Sequence, residues 1–212
     1  MDQTLLPVPR AGRLTPVLLA KYVDSLLKKS TKEADLLGID EFDRVLIIFS
    51  FLEDSDVFQK FYSKNLAQRL IKGESASEDM EATMISKLKQ RCGAEWTRKF
   101  TTMFHDVTTS KELTKKFLRS SSAKVSNAGP AITKDFSAMV MTSGSWPFSD
   151  VEERRILQLP AALHRPCEKF KEWYLHDKSG RKLIWLLHLA KGELLSTFSA
   201  DKKTGTPLTY TL

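Results

Sequence analysis

Apolar residues recur at helical spacing through the first half of the chain. From Thr15–Pro16, which resembles a helix start, the pattern predicts successive amphipathic helices separated by short polar or glycine-containing connections. One helix covers about residues 57–72, and its apolar face is an i, i+4 row formed by Phe58, Tyr62, Leu66 and Leu70. We therefore predict a helical bundle over residues 15–119, preceded by an irregular leader at 1–14.

The hydrophobic pattern changes after residues 120–134, a stretch of small and polar residues that is typical of a linker or loop. Apolar positions then alternate in Phe136–Thr142, which predicts a β-strand. Further strand candidates lie at 182–189, 193–199 and 207–212, after an amphipathic helix whose Pro166 is expected in its first turn or at its start.

The fold class predicted from these patterns is α+β. A helical bundle is followed by a small α/β domain at residues 135–212, with a largely antiparallel sheet. The chain ends on the strand-like "TYTL", so we expect this second domain to be cut short at its C-terminus.

Arg69 breaks the apolar face of the 57–72 helix, because its helical angle falls among the apolar positions. A buried guanidinium is costly unless carboxylates or several carbonyl oxygens surround it. The alternative is a side chain whose head group reaches solvent from the last helical turn. We predict a structural role for Arg69, together with the four apolar residues of this helix.

The 212-residue chain carries a formal net charge of +7, which favours acidic partners such as nucleic acid, anionic lipid or an acidic peptide. A candidate basic surface is formed by cations of the 57–72 helix and of the helix after it: Lys60, Lys64, Lys87, Lys89 and Arg91. A solvated face that serves solubility explains the same residues equally well.

The sequence contains no motif typical of catalysis or of cofactor binding. Phosphate-binding GxxxxGK[ST], dinucleotide-binding GxGxxG and nucleophile-elbow GxSxG patterns are absent. The four histidines lack metal-site spacing, and Cys92 and Cys167 lack a nucleophile context. No apolar run approaches the ~20 residues that cross a bilayer. We expect a non-enzymatic intracellular protein with no cofactor, no bound metal and no membrane contact.

Four segments, in this order, resemble the cullin homology region: "LLAKYVDSLLKKS", "EDSDVFQKFYSKNLAQRLIKGESASEDMEATMISKLKQRCGAEWTRKFTTMFHDVTTSKEL", "VMTSGSWP" and "SGRKLIWLLHLAKGEL". The resemblance runs from Thr15 to about Leu195 and is most like the cullins of SCF-type complexes. It implies that the helical half is the family's four-helix bundle and the mixed half its α/β domain. On this resemblance we expect the sequence to lack the family's N-terminal helical repeats and its C-terminal winged-helix domain.

The resemblance also implies a function, that of a scaffold in ubiquitin ligase complexes of the cytoplasm and nucleus. In this family the α/β domain binds a RING-box protein, which adds a strand to the sheet and recruits a ubiquitin-conjugating enzyme. The segment that matches this docking region contributes Phe136, Ala138, Met139, Val140, Met141, Trp146 and Pro147. The basic surface would then attract an acidic segment of the conjugating enzyme.

Two other interpretations stay open at this point. The basic helices suit a nucleic-acid-binding protein, although no recognition-helix or aromatic RNA-binding motif accompanies them. A truncated cullin fragment that only competes with full-length cullins for their partners would have the same sequence features.

Overall fold

A computed structural model describes residues 14–28, 39–123, 136–148, 159, 161–196 and 206–211. Its elements, in chain order, are α1 (Leu14–Leu27), α2 (Ile39–Phe49), α3 (Ser55–Lys72), α4 (Glu78–Cys92), α5 (Ala94–Ala123), α6 (Ala161–Asp177), β1 (Lys191–Ser196) and β2 (Thr206–Thr211). The predicted leader, except Leu14, and the predicted linker, except residues 120–123, lie outside the described residues.

The chain divides into two compact units. The first unit comprises residues up to 110 together with 139–147, and the second comprises residues 111–138 together with those from 148 onward.

The ends of α3 and α4 follow from local sequence. α3 ends at Gly73, whose φ of 66° lies in the left-handed region and whose N–H donates to the Arg69 carbonyl. Ser77 caps α4, because its side chain accepts a hydrogen bond from the main-chain N–H of Asp79. Acidic residues fill the first turn of α4, where the helix dipole favours negative charge.

Aromatic rings form the centre of the first unit. Phe58 of α3 meets Phe49 of α2 with ring centroids 5.1 Å apart. Tyr62 of α3 meets Phe100 of α5 at 4.9 Å, and both contacts are edge-on. Trp96 contacts Phe49 and Phe100 from the start of α5. Three helices therefore share one apolar core, and the prediction of a helical bundle is confirmed.

α5 is one continuous helix of 30 residues. No glycine or proline occurs between residues 94 and 123, so nothing in the sequence interrupts the helical hydrogen bonds. The helix continues into the predicted linker and contributes residues to both units.

A separate aromatic cluster forms in the second unit. Its centre is Phe170 of α6, which is fully buried. Five rings lie with centroids between 5.2 and 6.2 Å from it: Phe117, Phe136, Trp173, Tyr174 and Trp185. These contacts bury the apolar face of α6 and the nearby end of α5.

Pro166 lies inside α6, in its second turn, because this helix begins at Ala161. The expectation that it occupies the first turn or the helix start is therefore wrong. Proline has no N–H to donate to the carbonyl four residues back. Phe170 and Tyr174, which follow it in the helix, are buried, and tertiary packing of this kind is the main source of helix stability in proteins.

The predicted antiparallel sheet is wrong. Residues 136–142 and 182–189, its first two predicted strands, are not strands in the structure, and Leu187–Leu189 form a single 3-10 turn. Strands in the described part of the chain are limited to β1 and β2, an antiparallel ribbon that places Lys191 opposite Thr211. The described residues are predominantly helical, so the helical bundle holds and the α+β class with its sheet does not.

Candidate protein-docking site

Residues 139–142 lie against α5 in the first unit, and side chains of that helix bind their main chain. The N–H of Val140 donates to Ser110 Oγ at 2.8 Å, and the same oxygen lies 3.2 Å from the Val140 carbonyl. The N–H of Thr142 donates to Asp106 Oδ2 at 2.7 Å. Helix side chains thus bind the main chain where a neighbouring strand would bind it in a sheet, so this edge of the segment pairs with α5 and not with a strand.

The spacing of these contacts explains their geometry. Asp106 and Ser110 are four residues apart on a helix, which is a rise of about 6.0 Å. Val140 and Thr142 are two residues apart, and two residues of extended chain span about 6.6 Å. The spacing of alternate residues in an extended segment therefore matches the spacing of side chains one turn apart on the helix. The alternating apolar pattern at 136–142 fits this arrangement as well as it fits a strand. In the second unit, Thr114 Oγ1 lies 3.2 Å from both the N–H nitrogen and the carbonyl oxygen of Ala138.

The Asp106 carboxylate accepts three hydrogen bonds, from the last residue of this segment and from the loop after it. Thr142 donates both its main-chain N–H and its hydroxyl, and Trp146 Nε1 donates at 2.8 Å. Asp106 and Trp146 are both buried. Such charge-assisted bonds are stronger than neutral ones, so this carboxylate fixes the turn at residues 142–146.

Among the described residues, nothing pairs with the other edge of the extended segment, which we call the open edge. Main-chain groups of successive residues point to opposite sides of an extended chain, so Met139 and Met141 direct theirs away from Ser110 and Asp106. Within the part of the chain that the structure describes, no hydrogen bond involves the main chain of Met139 or Met141. Unpaired N–H and C=O groups on an extended chain are a template for another strand.

The predicted docking residues are divided between the two units. Met139, Val140 and Met141 are half-buried in the first unit, where Trp146 is buried and Pro147 is exposed. In the second unit, Ala138 is buried and Phe136 packs on Phe117 and Phe170. Their prediction as docking residues stays a prediction. Phe136, Ala138 and Trp146 serve the packing of their own units, which leaves fewer side chains to contact a partner.

A shallow groove of about 180 Å³ adjoins Trp146 and Pro147 in the first unit. Lys60 of α3 and Lys99 of α5 line it, with Phe100 among the apolar lining residues. The groove places Lys60 beside the turn that ends the extended segment.

The five residues of the predicted basic surface have different neighbours. Lys60, Lys64, Lys89 and Arg91 are exposed. Lys87 is half-buried and forms an ion pair with Asp43 of α2. Four cations are therefore available to an anionic partner, while Lys87 connects two helices.

Arg69 is fully buried at the junction of α1, α3 and α4. Its Nε and Nη2 donate to the two carboxylate oxygens of Glu81 at 2.7 and 3.0 Å, and its Nη1 donates to Asp24 at 2.5 Å. The Ser75 hydroxyl donates to Glu81 Oε1, and Lys28 Nζ lies 2.7 Å from Asp24 Oδ2. These carboxylates raise the pKa of Arg69 above its ordinary value against the opposing effect of burial, so the guanidinium is charged.

The position of Arg69 also decides which end of the predicted apolar row is buried. Around a helix, Arg69 lies about 20° from Phe58, whereas Leu70 lies about 120° away. Accordingly Phe58, Tyr62 and Leu66 are fully buried with Arg69, and Leu70 is only half-buried.

Sequence reasoning missed Asp106, Ser110 and Thr114, the side chains that bind the extended segment. All three are buried polar residues. A signal for them exists, because they recur every four residues along one face of a helix. Their partners lie 24 to 40 residues away in sequence, and no local pattern identifies those.

Both cysteines lie among the described residues, in surroundings that do not favour a thiolate. Burial raises the pKa of the Cys92 thiol, opposed by nearby Arg91, and burial also raises that of Cys167. A raised pKa reduces the thiolate that a nucleophile requires. No cluster of three or more potential metal ligands is found in the described ranges. Among the helices that the structure describes, none is long and apolar enough to span a bilayer.

Comparison with known proteins gives two family matches and several relatives. The family model of the cullin alpha solenoid domain matches residues 10–114, and that of the cullin alpha+beta domain matches residues 140–211. Cullin-1 of Schizosaccharomyces pombe is 42% identical over 186 residues, covering 87% of this chain and 23% of that protein. Cullin-1 of Dictyostelium discoideum is 42% identical over 204 residues, covering 96% of this chain and 25% of that protein.

A relative of another type has a similar level of identity. Cullin-4A of Mus musculus is 40% identical over 187 residues, covering 88% of this chain and 24% of that protein. The chain thus spans about a quarter of the length of the curated relatives it matches. Because both family models are cullin models and together cover most of the sequence, the chain belongs to the cullin family.

Proposed function

We propose that this chain is a non-catalytic scaffold segment of a cullin-RING ubiquitin ligase, and that residues 139–142 receive a strand from a RING-box protein. The observation that carries this proposal is the open main-chain edge at Met139 and Met141, in a segment whose other edge is bound to α5. Strand addition requires such an edge and no catalytic residue. Membership of the cullin family supplies the class of partner.

Main-chain pairing can be separated from side-chain contact at Met141. Met141→Pro removes the outward N–H and keeps Val140 extended, because a residue before proline favours extended conformations. Met141→Leu keeps the N–H and nearly the same volume. We expect Met141→Pro to weaken the RING-box complex about tenfold and Met141→Leu to change it little.

The measurement is isothermal titration calorimetry of this chain with a purified RING-box protein. Absence of a complex with the unmodified chain would refute the proposal. Equal affinities of the proline and leucine variants would refute the role of the main-chain edge.

We further propose that the exposed cations attract a ubiquitin-conjugating enzyme with an acidic segment to the RING-bound complex. Support comes from the exposure of Lys60, Lys64 and Lys89 and from the net charge of +7. Complementary charges act mainly on the association rate and are screened by salt. Changing these three lysines together to glutamate should slow association about tenfold at low salt.

A matched control reverses three other exposed cations, Lys115, Lys116 and Arg119 of α5. Both triple variants have the same net charge, so stopped-flow association rates compare position alone. Equal slowing by the two variants would mean that overall charge, and not this surface, attracts the enzyme.

A further inference from the structure

We infer that Ser110 and Asp106 are positioning residues that determine which edge of residues 139–142 faces a partner strand. The inference rests on the proposed strand addition and extends it, because it identifies the side chains that set the register. Both residues lie on α5, and neither belongs to the open edge itself.

Ser110 acts on Val140. Its hydroxyl is buried, with 3% of the residue exposed, and its oxygen lies within hydrogen-bonding distance of both main-chain groups of Val140. The hydroxyl also donates to the Asp106 carbonyl one turn earlier at 2.6 Å. This bond orients the oxygen lone pairs toward the Val140 N–H and fixes Val140 with its main chain directed at the helix.

Asp106 fixes the end of the segment. It binds the N–H and the hydroxyl of Thr142 and the indole of Trp146. Because Val140 and Thr142 are two residues apart, both hold the same edge of the chain against α5. The pair therefore defines a register as well as a location.

The register decides what a partner meets. A slip of one residue in an extended segment exchanges its two edges and its two faces. With Val140 and Thr142 bound to α5, the outward groups belong to Met139 and Met141. A slipped segment would direct those groups at the helix and present Val140 outward. An extended partner strand would then pair with different residues and contact the opposite side chains.

Amide hydrogen exchange, followed residue by residue by NMR, tests which main-chain N–H groups of residues 139–142 are bound to α5 and which are bound by the partner. It is measured in the free chain and in its RING-box complex. In the free chain we expect protected amides at Val140 and Thr142 and fast exchange at Met139 and Met141. Binding should protect Met139 and Met141. Ser110→Ala should remove protection at Val140 and leave Thr142 protected, whereas Asp106→Asn should reduce protection at Thr142 and leave Val140 protected.

Affinity gives the second readout. Ser110→Ala should weaken the RING-box complex about tenfold. The matched control Ser120→Ala should leave it unchanged, because in the described part of the chain the Ser120 hydroxyl donates within its own helix, to the Phe117 carbonyl. A destabilised fold would raise exchange along all of α5, so loss at Val140 alone identifies local positioning.

Two results would overturn the inference: a Val140 amide that stays protected in Ser110→Ala, or a partner that protects Val140 in place of Met139 and Met141. If the unmodified chain fails to bind a RING-box protein, the proposed function fails. The exchange pattern of the free chain and of its two variants still decides whether Ser110 and Asp106 hold the segment.

Discussion

Two buried carboxylates in the first unit have different partners. Glu81 meets a cation, since Arg69 donates two hydrogen bonds to it and a third to Asp24. Asp106 meets only neutral donors, from Thr142 and Trp146, and no ion pair in the described part of the chain includes it. The first arrangement joins three helices, and the second holds an extended segment on one helix.

The difference teaches how each site responds when its charge is removed. A buried cation left without its carboxylate retains the full cost of desolvation. Neutral donors left without a carboxylate lose hydrogen-bond energy, but no charge is left uncompensated. We call Arg69, Glu81 and Asp24 the ion cluster. Replacing its carboxylate by a neutral amide should therefore destabilise the fold much more than the same replacement at Asp106.

The largest effect is expected from Glu81→Gln. It leaves Arg69 buried with Asp24 as its remaining anion, and Asp24 is shared with Lys28. We expect the free energy of unfolding to fall by about 3–5 kcal/mol, measured by urea denaturation followed by circular dichroism. The control Glu95→Gln alters an exposed pair with Arg98 and should have little effect. A loss below about 1 kcal/mol would show that Asp24 alone compensates Arg69.

An intermediate effect is expected from Asp106→Asn. The amide keeps one oxygen acceptor but presents an NH₂ group to some of the donors from Thr142 and Trp146. We expect a loss of about 1–3 kcal/mol in the same denaturation experiment, with Asp177→Asn as an exposed control. If Asp106→Asn lowered the free energy of unfolding as much as Glu81→Gln, a carboxylate with neutral donors would be as sensitive to neutralisation as one paired with a buried cation, and the comparison would fail.

The smallest effect is expected from Lys87→Gln, which breaks the ion pair with Asp43 near the surface. More than half of the Asp43 side chain is exposed, at 56%, so water already screens the charge. We expect a loss of at most about 1 kcal/mol that shrinks in 1 M salt. Unfolding curves at two salt concentrations measure the loss and its dependence on salt. A salt-independent loss above about 2 kcal/mol would show that the Lys87–Asp43 pair behaves as a buried ion pair.

The helices could be predicted because their determinants are local. The apolar spacing of residues 57–72, the glycine at 73 and the cap at Ser77 are all visible in the sequence. The need of Arg69 for a carboxylate could also be derived from its helical angle. Its partners could not, because Asp24 lies 45 residues away and the choice between acidic residues depends on how helices pack.

The sheet was predicted wrongly because alternation of apolar residues reports an extended chain, not its neighbours. At residues 136–142 the neighbour is α5, and Ser110 and Asp106 bind the main chain that another strand would bind in a sheet. The candidate edge at Met139 and Met141 therefore could not be derived from sequence, since it depends on which side of the segment the helix occupies.

The ion cluster has a consequence for the order in which the chain folds during synthesis. Asp24 leaves the ribosome first, Arg69 follows 45 residues later, and Glu81 follows 12 residues after that. Until α4 has emerged, docking α3 on α1 would bury a guanidinium that lacks its bidentate partner. We expect the nascent helices to dock only after residue 81 has left the ribosome, so a stalled chain whose emerged part ends between residues 72 and 81 should stay sensitive to protease.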